Sequence, residues 1–194
     1  MRRRSIGASL LAALWLTGCA GLPRPAPCPP ILPPQPVAGW SGAQSQAEVI
    51  TLLGPDGHRR QLLVVGERSP QLLRLRGFNL IGLELFRLDH HEGSPEIVWL
   101  TGEAPALDAR VLVSDYQLVH WPADSLAGRL DKGRWRLDHD TRSRRLYCRD
   151  TLIAEVQFAA DGGARSVNHH LGSTLVIRPW LVYTSSSAEP LPFL

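Results

Sequence analysis

The chain has 194 residues, with 21 lysines and arginines, 18 aspartates and glutamates and a formal net charge of +3 at pH 7. Its first 18 residues hold three of the arginines and no acidic residue, so the remainder carries 18 charges of each sign. Nucleic-acid binding requires a dense basic patch, and none is evident in a chain with this balance, so we expect no nucleic-acid partner.

The amino-terminal segment has the parts of a bacterial signal peptide. Three arginines precede an apolar run of 11 residues, Ile6–Leu16, which is too short to span a membrane, since a spanning helix needs about 20. The run ends in Leu16-Thr17-Gly18-Cys19, which resembles the lipobox of bacterial lipoproteins. The resemblance implies cleavage before Cys19, a diacylglyceryl thioether on its sulfur and acylation of the new amino terminus. The alternative is an ordinary signal peptide with a chance cysteine.

The following segment predicts a tether between membrane and domain. Eight of the 16 prolines lie in residues 22–36, a composition that favours an extended, semi-rigid spacer. Lipoproteins kept at the inner membrane commonly have Asp after the lipidated cysteine, and Ala20 stands here, which implies the outer membrane, facing the periplasm. We therefore predict a signal peptide over 1–18, a lipidated cysteine and proline-rich tether over 19–38, a folded domain over 39–184 and a flexible tail over 185–194.

Acylation of Cys19 leaves two cysteines. The periplasm is oxidising, so Cys28 and Cys148 could form a disulfide, to which a chain-entropy model assigns about 4–5 kcal/mol for so long a loop. The sequence does not supply the geometry that a disulfide needs. Two unpaired thiols, with Cys148 as a small apolar residue of a strand, stay open as the alternative.

The first half of the domain reads as short strands separated by turn residues. Cleanly alternating residues such as Leu73-Arg74-Leu75-Arg76 favour strands with one buried face. The predicted strands are Val49–Leu53 and Gln61–Val65 around a Gly-Pro-Asp-Gly turn, Leu72–Phe78 and Leu83–Asp89 across Asn79–Gly82, and Glu96–Thr101.

The middle of the chain departs from this pattern. Leu107, Val111, Leu118 and Trp121 form a stripe at helical spacing. Pro122 suits the first turn of a second short helix, which we expect to end near Gly133.

Strands return after this helical part. Trp135–Asp140 and Arg144–Asp150 predict a hairpin whose Trp135, Leu137, Leu146 and Cys148 share one face. Thr151–Phe158, Val167–Leu171 and Leu175–Val182 complete the sheet. The predicted fold class is α+β, mainly antiparallel β.

This order of elements, with Leu118-Val-His-Trp-Pro122 in the helical part, resembles the LolB-like lipoproteins. It looks most like an uncharacterised lipoprotein family related to the LolA/LolB carriers and sometimes encoded beside aryl-polyene or fatty-acid-type synthesis genes. The resemblance covers most of residues 45–182. It implies an incomplete, curved β-barrel with a lid of short helices over a cavity that holds acyl chains.

The resemblance directs attention to two groups of residues. Candidates for the cavity or lid are Leu75, Phe78, Leu112, Leu118 and Trp121. Each of them could instead belong to a closed core, as apolar residues commonly do. Leu80 and Ile81, in an apolar turn, are candidates for a membrane-contact loop, with scattered surface residues as the alternative.

Patterns that would indicate catalysis or a metal are missing from the sequence. The pairs His90-His91 and His169-His170 could each direct only one ring inward from a strand, and neither a His-Glu-x-x-His nor a Cys-x-x-Cys motif is present. The Gly-x-Ser-x-Gly pattern of a nucleophile elbow is also absent. We therefore predict no metal, no cofactor and no catalytic residue.

These observations predict a function. We expect a monomeric lipoprotein, anchored in the outer membrane by Cys19, that binds or transfers a hydrophobic acyl or lipid, lipoprotein or polyene-type cargo in its cavity, with a periplasmic carrier as partner. The alternative is a structural or assembly lipoprotein with a closed core that acts through a protein partner. A periplasmic hydrolase is a third possibility, because active sites need not follow named motifs.

Overall fold

The computed structural model describes residues 26–39, 42–101 and 108–180. A 3-10 turn at Val37–Gly39 comes first. The strands and helices of these ranges are β1 Gln44–Leu53, β2 Arg59–Arg68, β3 Leu73–Phe78, β4 Glu84–His90, β5 Glu96–Trp99, α1 Ala109–His120, α2 Ala123–Arg129, β6 Trp135–His139, β7 Ser143–Cys148, β8 Thr151–Phe158, β9 Ala164–Asn168 and β10 Ser173–Pro179. In this part of the chain, no helix is long and apolar enough to cross a membrane.

The ten strands form one sheet in the order β5-β4-β3-β2-β1-β10-β9-β8-β7-β6. Every neighbouring pair is antiparallel, and the first strand pairs with the last, from Glu48 opposite Pro179 to Leu53 opposite Thr174. The sheet is open, with β5 and β6 at its edges. The predicted class, α+β with mainly antiparallel β structure, is confirmed.

The predicted hairpins are confirmed in their pairing. β1 and β2 meet around the turn at 54–58, with Leu53 opposite Arg59. β3 and β4 pair with Leu75 opposite Leu88, and β6 and β7 pair with Trp135 opposite Cys148. In the last of these hairpins the four residues predicted to share a face are all buried, as expected when one face of a strand pair faces the core.

Several predicted boundaries differ from the structure; β1, for example, begins at Gln44 and not at Val49. Two of the differences have a clear local reason. The strand expected at Val167–Leu171 is β9, Ala164–Asn168, because the Asn168 side chain accepts the backbone N–H groups of His170 and Leu171 and starts a turn there. The second helix ends at Arg129 rather than near Gly133, since Leu130 turns into an extended conformation and is buried.

Helix α1 has clear end signals. Asp108 caps its start, accepting the N–H of Arg110 at 2.8 Å. At the other end Trp121 is extended, because a residue before proline is disfavoured in the helical region and Pro122 follows. Of the predicted stripe, Leu118 and Trp121 are buried and Val111 is half-buried, whereas Leu107 lies outside the described residues.

One face of the sheet, called the inner face below, carries two apolar clusters that α1 spans. The amino-terminal half of α1 contributes Val113 and Tyr116 to a cluster with Leu75, Phe86 and other residues of β2–β4. Its carboxyl-terminal half and α2 join a larger cluster on β6–β10. In the first cluster the Phe86 ring lies directly over Gly77, where an added Cβ would come within 2.0 Å of it. A single helix therefore holds both halves of the sheet.

Candidate ligand site on the inner face

A second element crosses the inner face beside α1. Residues 26–38, called the strap, place Leu32 in the larger cluster and Val37 in the smaller one, with side chains 1% and 3% exposed. This is the described part of the segment predicted as a tether. It packs as part of the domain, so the packed chain begins well before residue 39.

Buried polar side chains from three elements hold the strap backbone. Gln117 of α1 accepts the N–H of Gln35 at 2.8 Å and donates to its carbonyl at 2.6 Å. The Gln35 carbonyl also lies 2.9 Å from Nε2 of His90 in β4, and Asn168 of β9 donates to the Pro30 carbonyl at 2.9 Å. Because a carbonyl only accepts, His90 must be protonated at Nε2. All three of these side chains are buried.

The amino-terminal end of the strap is held covalently. Cys28 and Cys148, at the end of β7, form a disulfide with sulfurs 2.08 Å apart and Cα atoms 5.9 Å apart. The Arg149 guanidinium donates to the Ala26 carbonyl at 2.9 Å, and Arg134 donates to the carbonyl of Pro27. Of the two possibilities that the sequence left open for this pair, the structure has the bonded one.

Little space remains beneath the strap. A void of about 10 Å³ lies at its carboxyl-terminal end, about the volume that one water molecule needs. It is lined by Val37, Arg68, Ser69, Leu72, Leu73, Tyr116, Gln117 and Trp121. A ligand larger than water therefore requires the strap or the helix to move.

Four of the five candidate cavity residues lie on the inner face, and one lies on the outer face. Leu75, Leu118 and Trp121 are buried on the inner face, and Leu112 is partly buried against the same core. Phe78 follows Gly77 in β3, and neighbours in a strand point to opposite faces. The structure therefore places Phe78 on the outer face, opposite Glu84 of β4. A depression of about 190 Å³ on the outer face, beside β1 and β10, lies away from the strap, and we assign it no ligand.

A polar cluster joins β1 to the end of α1. Glu48 is buried and lies 3.1 Å from Nε2 of His120. The Gln46 amide donates to Glu48 at 2.8 Å and lies 3.1 Å from Nδ1 of His120. The Tyr116 ring stacks beside the imidazole at 4.4 Å, and Arg68 donates to the Tyr116 hydroxyl at 3.1 Å. Burial raises the pKa of that hydroxyl.

This cluster was not predicted, although it resembles an acid–base pair. The Nδ1 atom of His120 lies beside the Gln46 amide, whereas Nε2 lies 3.1 Å from Glu48 but makes no hydrogen bond within the described part of the chain. The arrangement fixes α1 against β1. The signal in the sequence is the alternation Gln44-x-Gln46-x-Glu48, which places three polar residues on the face of β1 that should be apolar.

One carboxylate of α1 is unusual. Within the described ranges Asp115 has no hydrogen bond or ion pair, and burial raises its pKa to about 7. Its neighbours Ser114 and Tyr116 are buried, and Asp115 itself is half-buried. Desolvation without a partner favours the neutral acid, which is the cause of this shift.

The structure also shows where the His90-His91 pair and the apolar turn at Leu80 and Ile81 lie. His90 is buried and His91 is exposed, so only one ring of that pair points inward, and the described residues contain no group of three potential metal ligands. Leu80 and Ile81, at the β3–β4 turn, are 65% and 89% exposed. Cys19 lies outside the described residues.

The fold and this face together define a class: an open antiparallel sheet whose inner face is covered by one helix and a disulfide-bonded strap. A family model described as "Protein of unknown function (DUF3261)" matches residues 46–180. Since the match spans more than half of the chain, the chain belongs to this family. No curated protein matches it.

Proposed function

We propose that this protein is a lipoprotein anchored in the outer membrane through Cys19, and that it binds or hands over a hydrophobic acyl, lipid, lipoprotein or polyene-type cargo. The cargo site is the inner face, and the sheet takes the role of a LolB-like half-barrel with α1 and the strap as its lid. A periplasmic carrier would supply or receive the cargo. The lipobox-like motif and the order of elements support this assignment.

The observation that carries the proposal is the way in which the strap covers the inner face. It is not a strand of the sheet: individual side chains, not a ladder of backbone hydrogen bonds, hold its Gln35–Val37 end. Releasing that end exposes Val37, which costs about 1.5–3 kcal/mol of free energy. It also breaks three hydrogen bonds, each of which contributes about 0.5–1.5 kcal/mol. Burial of a chain recovers about 0.8 kcal/mol per methylene, so about four to nine methylenes would offset the loss.

The experiment is photo-crosslinking in cells that express the full chain and are fed a photoactivatable fatty acid with an alkyne handle. We expect cross-linked peptides from the inner face, at Val37, Leu73 and Trp121, together with acylation of Cys19. Cross-links spread evenly over the outer face, or found only at the anchor, would refute cargo binding.

A matched pair of variants sharpens this result. Leu73→Trp fills the void beneath the strap and should reduce inner-face cross-linking without changing acylation of Cys19. Leu63→Trp adds the same ring on the outer face of the adjacent strand, where Leu63 is half-buried, and should leave the cross-links unchanged. Thermal unfolding of both proteins shows that they are folded.

A second candidate function follows from the small volume of the void. A void of only about 10 Å³ at the carboxyl-terminal end of the strap is also what a closed core would give, and a structural or assembly lipoprotein acting through a protein partner would need nothing more. Failure of Leu73→Trp to reduce inner-face cross-linking, with no lipid recovered from the purified protein, would favour this function. No catalysis is proposed.

A further inference from the structure

Four turns of the sheet lie at one end. Because every neighbouring pair is antiparallel, the direction of each strand follows from its position in the sheet. β1 runs toward the same end as β3, β5, β7 and β9. The turns after β1, β3, β7 and β9, at residues 54–58, 79–83, 149–150 and 169–172, therefore share that end, which we call the tether end.

Exposed apolar side chains gather at the tether end. Seven large apolar side chains are exposed in the part of the chain that the structure describes. Two lie elsewhere, Val98 within β5 and Trp180 just beyond β10. The other five, at the tether end, are Leu53, Leu80, Ile81, Leu83 and Leu100. Scattered single residues would need no explanation, but clustering at one end does.

The strap leaves the domain at this same end. Its disulfide partner Cys148 is the last residue of β7, directly before a tether-end turn. Arg149, within that turn, holds the carbonyl of Ala26. The point where the chain joins the domain and the cluster of apolar side chains therefore lie at one end, although they come from distant parts of the sequence.

From this coincidence we infer that the tether end docks on the lipid surface in which the Cys19 anchor sits. The inference rests on the proposed function, because it requires the anchor. Cys19 and Cys28 are nine residues apart, so the chain between them reaches at most about 30 Å. β1 alone, with ten residues, spans about 33 Å. Because the tether reaches less far than the sheet is long, it favours contact of the tether end with the bilayer over contact of the opposite end.

A fluorescent probe on the full lipidated chain tests this orientation. With Cys19 acylated and Cys28 bonded to Cys148, an introduced cysteine is the single reactive thiol. Ile81→Cys and Leu100→Cys report on the tether end from two different turns. Thr141→Cys, in the exposed β6–β7 turn at the opposite end, is the matched control. Each is labelled with an environment-sensitive dye and reconstituted in vesicles of phosphatidylethanolamine and phosphatidylglycerol that contain nitroxide-labelled lipid.

We expect the nitroxide lipids to quench most of the emission at Ile81→Cys and Leu100→Cys and little at Thr141→Cys. Equal quenching at all three positions, or stronger quenching at Thr141→Cys, overturns the inference. A probe at Ile81→Cys that is shielded from water but not quenched by lipid also overturns it, and would indicate that two copies meet through this end.

Failure of the proposed function gives a different result. If Cys19 is not acylated, the wild-type chain itself takes up the dye, and mass spectrometry of the intact protein lacks the added acyl mass. If acylation is present and the Ile81→Cys probe is not quenched, only the orientation is wrong.

Discussion

The two ends of the strap are held by different chemistry. At Cys28 the chain is bonded to β7 through a disulfide. At Gln35 and Val37 it is held by the side chains of Gln117 and His90 and by burial of one apolar residue. The first attachment persists on any timescale of ligand exchange, whereas the second can open and close. This difference predicts where substitutions in the strap have large and small effects.

The largest effect should come from the covalent end. The double substitution Cys28→Ser with Cys148→Ser removes a link between residues 120 positions apart and should lower the free energy of unfolding by about 4–5 kcal/mol, because the unfolded chain gains freedom. Urea unfolding with and without a reductant measures it. The reduced wild-type protein is the control and should match the variant; a loss below about 1 kcal/mol would contradict the chain-entropy account.

The middle of the strap comes next. Leu32→Ala should cost about 2–5 kcal/mol, since Leu32 is 1% exposed and packs in the larger cluster. Leu80→Ala, at an exposed position, is the matched control and should stay within about 0.5 kcal/mol of wild type. Equal stability of the two variants in urea would mean that the strap is not seated in solution.

Substitutions at the Gln35–Val37 end of the strap should lower the free energy of unfolding less. Gln117→Ala leaves the N–H and the carbonyl of Gln35 without their amide partner, and should cost about 1–3 kcal/mol. Hydrogen exchange at the Gln35 amide should become faster while exchange within β8 does not change. Gln61→Ala, an exposed glutamine on the outer face, serves as the control. If exchange speeds up equally throughout the domain, this end does not open separately.

The free energy of unfolding should fall as the pH rises, because Asp115 holds its proton more tightly in the folded state. Its folded pKa, about 7, lies above the unfolded value of about 3.9. Below both values Asp115 is neutral in both states; between them only the folded state holds the proton, so rising pH destabilises the fold. We expect a loss of about 1–2 kcal/mol between about pH 4 and about pH 7, reduced from the full shift because Asp115 is partly exposed. Asp115→Asn should remove this part of the pH dependence in urea titrations.

The smallest effect should come from the outer face. Arg74 and Asp89 form a two-pronged ion pair across β3 and β4, at 2.7 and 2.9 Å, with both side chains about one third exposed. Arg74 lowers the pKa of Asp89 by hydrogen bonding to it. Arg74→Ala should cost about 0.5–1 kcal/mol and leave exchange at Gln35 unchanged, so an effect on the strap would show that the two faces are coupled.

The sheet could be predicted from the sequence because its signals are local. Leu73-Arg74-Leu75-Arg76 alternates, and in the structure Leu73 and Leu75 are buried while both arginines are half-exposed. The turn residues between β1 and β2 likewise predict the pairing of these two strands. Boundaries shifted where a single side chain, such as Asn168, decided the turn.

The strap could not be predicted because its signals are distant. A proline-rich segment makes no internal hydrogen bonds, so water can satisfy its carbonyls as well as side chains can, and composition does not distinguish a spacer from a cover. Gln35 meets Gln117 across 82 positions and His90 across 55. Nothing in the composition marks either residue. The pairing of Cys28 with Cys148 was open for the same reason, since it depends on a fold that brings the two together.

The pairing of β1 with β10 has a consequence for biogenesis. The middle of the sheet is a seam between the first and the last strand, so a chain that leaves the ribosome amino terminus first cannot close it until residues 173–179 have emerged. Until then β1 offers an open edge to any neighbouring chain, which favours aggregation. A chain truncated before β10 should therefore be lost to insoluble material, not accumulate as a smaller stable half.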